Sequence, residues 1–251
     1  MSFLADSRPC AGCRGPRGPI CDRCRPAFVG PVYPVDRPGV LTMPVIATAV
    51  YEGPVREALV AFKDHGRWSL RGLLGGVLAL AVLELFGDLL RAAREAVVLG
   101  RPLPVGDGRL PLQGPPVRFL LVPVPSASAS VRMRDGEHVA ELATRVEALM
   151  GAGYMEVVHG LVVVRRRRDQ VGLGRRERAA NLHGSMRATD VLVRRAARPG
   201  TAVVLVDDIV TTGASLAEAH RALTAAGIRP WGAAVVAATP NLPRRGRPAA
   251  R

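Results

Sequence analysis

Lysine is nearly missing from this chain of 251 residues: among 35 basic residues, Lys63 is the one lysine and the rest are arginine. The formal charge of +14 invites a nucleic-acid reading. An arginine bias of this kind can equally reflect a GC-rich coding sequence. Aromatic residues amount to 4%, which leaves few platforms for stacking single-stranded bases. Ser-His and Cys-His pairs suited to nucleophilic catalysis are lacking, and His65, His159, His183 and His220 are scattered along the chain in what read as solvated or structural positions. The opening "MSFLADSRPC" lacks the basic region and apolar run of a secretory signal. The most apolar stretch, Gly72 to Leu90, contains Glu84 and Asp88 between Arg71 and Arg91. Its uncharged run falls short of the roughly 20 residues a spanning helix needs. A buried helix, no membrane span and a reducing, cytoplasmic location are therefore expected.

What is present suits a folded protein. The hydrophobic content of 48% and the length allow one α/β core with a small appendage. All four cysteines fall in "CAGCRGPRGPICDRC", as Cys10, Cys13, Cys21 and Cys24. Each C-x-x-C pair can present two thiolates from one tight turn, and two such turns complete a tetrahedron around zinc. Gly12 and Gly15 ease the turns, and Arg14, Arg17, Arg23 and Arg25 offset the thiolate charge. The alternatives are two disulfides or a redox pair. A structural zinc knuckle fits a reducing compartment better, and it says little about function by itself.

Gly- and Pro-rich sequence from Pro26 to Pro44 reads as linker and loop. In "YEGPVREALVAFKDHGR" the spacing of Val55, Leu59 and Phe62 predicts a helix opened by Pro54. The apolar helix follows, extending towards Val98, and residues 100 to 116 read as a loop. Beyond it, "RFLLVPVPS", "VVHGLVVVRR", "TAVVLVDD" and "WGAAVVAATP" read as four strands. One intervening helix places Val139, Leu142, Val146 and Leu149 on a single face, and another, "SLAEAHRALTAAG", stops at Gly227. Strands that are apolar throughout and alternate with helices imply a parallel sheet covered on both faces, whose ligands bind at the strands' carboxyl ends.

That edge is where "VVLVDDIVTTGAS" places two adjacent acids, Asp207 and Asp208. The hydroxyls of Thr211 and Thr212, the freedom of Gly213 and the amides of the next helix suit a phosphate dianion. The carboxylates would repel that phosphate, but they can accept hydrogen bonds from two vicinal sugar hydroxyls nearby. A phosphorylated ribose satisfies both halves. The alternatives are an acidic metal site or a fortuitous strand end.

This stretch resembles the phosphoribosyl-pyrophosphate (PRPP) motif of type I phosphoribosyltransferases. The rest of the chain resembles the ComF family of that superfamily, which is associated with DNA uptake in competent bacteria. The cysteine segment, "YEGPVREALVAFKDHGR", "LLVPVPS", "RMRDGEHVAELA" and "RRRRDQVGLGRRERAANLHGS" carry the likeness in the family's order. The resemblance implies a type I phosphoribosyltransferase-like sheet preceded by the zinc knuckle. It places the ribose hydroxyls on Asp207 and Asp208, and the 5′-phosphate on Thr211, Thr212, Gly213 and Ser215. Ser126 and Ser128 would lie on the pyrophosphate loop, which His138 follows, and Arg175 and Arg176 on a catalytic loop that clamps pyrophosphate. Mg²⁺ is implied with PRPP, held mostly by ligand oxygens and water. Thr211 stands where 6-oxopurine enzymes carry an acid, which argues against such a base. The family's Arg-Gly-Phe-Asn segment is replaced by "RMRDGEHV", whose Asp135 and Glu137 bring negative charge towards the pyrophosphate.

The expected organisation is a zinc knuckle over residues 1–30, a linker and helical region over 31–116, a phosphoribosyltransferase-like domain over 117–240 and a basic tail over 241–251. Lys63 is a further catalytic candidate, since a compact ammonium does what a planar guanidinium cannot; chance placement on a solvated helix end is the alternative. Two functions compete. One is a PRPP-binding transferase with an unidentified acceptor. The other is a non-catalytic accessory of DNA uptake that binds single-stranded DNA through the knuckle and the tract Arg165 to Arg168.

Overall fold

The computed structural model describes residues 6–99, 118–125, 137–151, 153–164 and 182–240. Eight strands occur among the described residues: β1 (Tyr33–Pro34), β2 (Val45–Val50), β3 (Arg118–Pro123), β4 (Met155–Val157), β5 (Leu161–Val163), β6 (Met186–Ala188), β7 (Thr201–Val210) and β8 (Gly232–Ala238). Six of them form one sheet in the order β1-β2-β8-β7-β3-β4, parallel throughout except for the antiparallel edge strand β1. β5 and β6 make a separate antiparallel ribbon.

Helices cover both faces, as the apolar strands require. Helices α1 (Gly53–Lys63), α2 (Arg71–Leu99) and α3 (Glu137–Met150) pack on one side, and α4 (Asp190–Ala196) and α5 (Ala214–Ala225) on the other. The alternation of β7 divides its side chains between these two cores. Ala202, Val204 and Val206 enter the first, and Val203 and Leu205 enter the second. Pro54 lies in the first turn of α1, where its missing N–H removes no helical bond, and Val55, Leu59 and Phe62 are buried as their spacing predicts. Gly227, at φ 77°, closes α5.

The segment Trp68–Asp88, of mean hydropathy 1.8, is long and apolar enough to cross a membrane. Here it lies in the first core, with Leu74, Leu78, Ala81 and Val82 fully buried. Cys10, Ala11, Ile20, Cys24 and Phe28 join the same core, and Gly12 of the cysteine segment lies directly against Pro54 of α1.

Four local expectations change. Tyr33–Pro34, within the stretch read as linker and loop, forms the edge strand β1 against β2. "VIATAV" forms β2 within the region read as linker and helices, and it pairs in parallel with β8. "VVHGLVVVRR", read as one strand, is broken into β4 and β5. A Cβ on Gly160 would come 2.4 Å from Leu192, and only this glycine lets the chain leave the main sheet so close to α4. Leu149, in the last turn of α3, is 50% exposed although it lies within about 20° of the buried Leu142 around the helix. Met150, one residue on, packs against the core in its place.

The topology sets a reversal of strand order within the sheet. From β3 the chain passes through α3 to β4 on one side, and from β7 it passes through α5 to β8 on the other. The carboxyl ends of β3 and β7 therefore flank the point where the strand order reverses. Pro123, the last residue of β3, pairs with Val206, so β7 projects beyond its neighbour from Asp207 onward.

Candidate functional site

Asp207 and Asp208 stand on that projecting end, 8% and 4% exposed. The Asp208 amide donates to Asp207 Oδ1 at 2.8 Å, and Lys63 Nζ, from the last residue of α1, donates to Asp208 Oδ2 at 3.2 Å. Burial pushes Asp207 well above the usual carboxylate range. The neighbouring Asp208 charge and a hydrogen bond between the two carboxyls add to that, against the opposing pull of the amide and of Lys63. Burial acts to lower Lys63, but the field of Asp208, then that of Asp207, outweighs it and the net shift is upward. The site is thus two acids and one ammonium, recessed beneath the sheet edge. Lys63, remarkable in the sequence for its solitude, is brought to the acids.

After Val210 the chain turns through Thr211 and Thr212 to Gly213, which caps α5 at φ 83°. The positive φ favours glycine here, and a Cβ would also come 3.1 Å from the side chain of Leu41, which would have to shift slightly to admit it. Thr212 Oγ1 accepts from the Ala214 amide at 3.3 Å, and the helical ladder starts with Ala217 N–H donating to Gly213 O at 2.9 Å. The earlier amides of α5 have no partner within the helix and carry its positive dipole end. Thr211 is exposed, and Thr212 and Ser215 are half-buried, which leaves the hydroxyl side of the turn open.

Arg37 secures this turn, and no local pattern announces it. Its Nε donates to Thr211 O at 2.9 Å, and its Nη2 to Thr239 O at 2.5 Å and to Thr239 Oγ1 at 3.1 Å. One guanidinium thus ties the loop after β7 to the loop after β8. The ribbon is fastened similarly. Buried Glu218 of α5 accepts from the Gly184 amide at 3.1 Å, the Met186 amide at 2.8 Å and Arg221 Nε at 2.7 Å. Burial opposes its ionisation, yet Arg221 and the two amides hold its carboxyl below the usual range.

The structure brings together Asp207, Asp208, Lys63, Thr211, Thr212, Gly213 and Ser215. Ser126, Ser128, Arg175, Arg176, the tract Arg165 to Arg168 and residues 241–251 lie outside the described residues. His138 is buried at the start of α3, its ring edge-on to Phe62 with centroids 5.8 Å apart.

The four cysteines form a second centre. Their Sγ atoms all lie within 4.8 Å of one another, and none is in a disulfide. The sulfurs of Cys13 and Cys21 are 3.7 Å apart. A tetrahedral zinc with Zn–S bonds of about 2.3 Å sets sulfurs about 3.8 Å apart, so the spacing fits. Amides of Gly12 and Cys21 point at Cys10 Sγ, at 3.4 and 3.3 Å. Burial pushes the Cys10 thiol up, but amides from Cys21, Cys13 and Gly12 prevail and bring it down to about 6. Burial and the neighbouring thiols push Cys24 up to about 12. Four sulfurs this close ionise together only around a cation, and the set suits a structural metal such as zinc.

No family model matches the chain, and no curated protein matches it.

Proposed function

We propose that the chain binds PRPP, or a closely related phosphorylated ribose, at the carboxyl edge of β7, as a type I phosphoribosyltransferase-like protein of the ComF kind. The observation that carries this reading is the continuity of two adjacent acids, an open threonine turn and a left-handed glycine cap, set at the reversal of strand order. The vicinal ribose hydroxyls donate to the carboxylate oxygens of the acid pair. The 5′-phosphate rests on the first amides of α5 and the hydroxyls of Thr211, Thr212 and Ser215.

In the transfer step the bond from C1′ to pyrophosphate breaks, and pyrophosphate leaves with the bonding pair. An acceptor nucleophile then forms its bond to C1′. The chain's part is orientation and charge stabilisation of an oxocarbenium-like state, with Arg175 and Arg176 as the expected clamp on the leaving group. Lys63 holds Asp208 in place through the hydrogen bond from Nζ to Oδ2. Mg²⁺ would accompany the pyrophosphate and neutralise its charge; the acid pair, already facing an ammonium, offers it no carboxylate cage. A role in DNA uptake follows from the family resemblance.

Calorimetric titration of PRPP with Mg²⁺ tests this reading, followed by assay of pyrophosphate release with candidate acceptors. Wild type should bind, and Asp207→Asn should bind at least about tenfold more weakly, since hydrogen bonds to charged groups contribute about 1.5–3 kcal/mol. Failure of wild type to bind refutes the proposal.

Exposed Arg14, Arg17, Arg23 and Arg25 around the cysteines favour a second reading, an accessory that grips single-stranded DNA by its phosphates. Such binding would fall steeply with salt and survive Asp207→Asn.

A further inference from the structure

Helix α1 is held at both ends by the cysteine segment. At its start, a Cβ on Gly12 would lie 2.8 Å from Pro54 Cβ and 3.1 Å from Cys24 Sγ, so the backbone between the first two cysteines rests directly on the first turn of α1. At its end, the Arg67 amide donates to Ala61 O at 3.0 Å, which fixes the turn that follows α1. The buried guanidinium of Arg67 then reaches into the cysteine segment. It donates to Pro9 O at 2.6 Å, Gly18 O at 2.9 Å, Arg8 O at 3.4 Å and Asp6 Oδ2 at 2.9 Å. Ser69 adds its hydroxyl to the same Asp6 carboxylate. Burial acts against that carboxylate, but Ser69, Arg8 and Arg67 hold it far below its usual range.

Pro9 immediately precedes Cys10, and Gly18 lies inside the loop between Cys13 and Cys21. These acceptors keep their places only while the loop keeps its shape. The loop is made of turns closed by a few backbone bonds, among them Cys10 N–H to Pro16 O, Ala11 N–H to Pro19 O and Gly18 N–H to Arg8 O, and a metal cross-link would fix that slight framework. Lys63, the last residue of α1, extends from this braced helix to Asp208, and its neighbour Phe62 packs edge-on against Trp68 at 5.4 Å.

We propose that the four-cysteine metal centre is a support of the acid pair: metal loading fixes α1, and α1 holds Lys63 on Asp208. The route runs from the thiolates through Gly12 and Pro54 at one end, and through Gly18, Pro9 and Arg67 at the other. Loss of the metal frees both ends, and the ammonium loses its set position beside the two acids. The inference concerns the chain's own salt bridge and holds whatever ligand the site takes.

Because Lys63 is the only lysine, its reactivity reports this contact directly. Zinc-loaded and chelator-stripped protein would be treated with an amine-acetylating reagent at pH 8, and the modification of the Lys63 peptide followed by mass spectrometry. Stripping should raise the labelling rate roughly three- to tenfold, the effect of up to about one unit in effective pKa. Arg67→Met, which retains all four thiols, should still bind one zinc and yet label faster than wild type. Unchanged labelling in stripped protein that keeps its far-ultraviolet dichroism overturns the proposal. Should stripping unfold the whole chain, Arg67→Met decides: zinc bound with labelling at the wild-type rate overturns it as well. No ligand enters the experiment, so failure of PRPP to bind leaves this result standing, and the reverse holds too.

Discussion

Replacing Lys63 by methionine keeps the length of the side chain and removes its charge. Asp208 is buried, whereas the Lys63 side chain is 32% exposed. The pair therefore lies between an exposed ion pair, which contributes about 0–1 kcal/mol, and a broken buried pair, which costs about 3–5 kcal/mol. A loss of about 2 kcal/mol at pH 8 is expected. The loss should shrink at lower pH, because the two acids can neutralise themselves by taking up a proton. Asp207 already has a folded-state pKa raised above its ordinary 3.8, and removing the ammonium, which opposes that rise, raises it further. A carboxyl with a raised folded pKa makes the folded state bind more protons than the unfolded one. Stability then declines as pH rises from the unfolded value through the folded one. The variant must accordingly lose more at pH 8 than at pH 5. Urea unfolding of both proteins at the two pH values measures this. A difference that is the same at both would mean that Lys63 does not act through the acids, and the electrostatic account of the site would be wrong.

Two further substitutions probe the scaffold. Gly213→Ala forces a side chain into φ 83° and against Leu41, which should cost about 1–2 kcal/mol. In a chain of this size that lowers the melting temperature by about 2–8 °C, and an unchanged melt contradicts the packing described. Glu218→Ala leaves two amides and Arg221 without their carboxylate, at about 3–5 kcal/mol. Hydrogen exchange should accelerate at residues 184–188 and stay slow in β8; exchange that remains slow at both would show that the ribbon does not depend on this anchor.

The centre of the site was legible because its signals are local. An unbroken apolar run, two acids, two threonines and a glycine occupy one stretch, and each has a direct physical reading. The cysteine spacing is equally local. Arg37 was invisible because its acceptors are backbone carbonyls 174 and 202 residues away, which no pattern in sequence can mark. β2 was hidden by the glycine- and proline-rich sequence just before it and by having its parallel partner at the far end of the chain. Arg67 carries no mark in the sequence either, because its acceptors are carbonyls of the cysteine segment 58 and 49 residues away. Gly160 did carry a usable signal, since a glycine inside an apolar run marks a break or a close contact, as Leu192 provides.

The insertion of β8 between β2 and β7 has a consequence for the life of the chain. Strand β2, made early, must wait for β8 before it acquires its parallel neighbour. Until residues 232–238 leave the ribosome, "VIATAV" presents an apolar strand edge that another molecule could pair with. Closure of the sheet over so long a separation is intrinsically slow. Truncation just before β8 would therefore do more than shorten the protein: it would leave β2 stranded and the loop after β7 without the Thr239 to which Arg37 ties it.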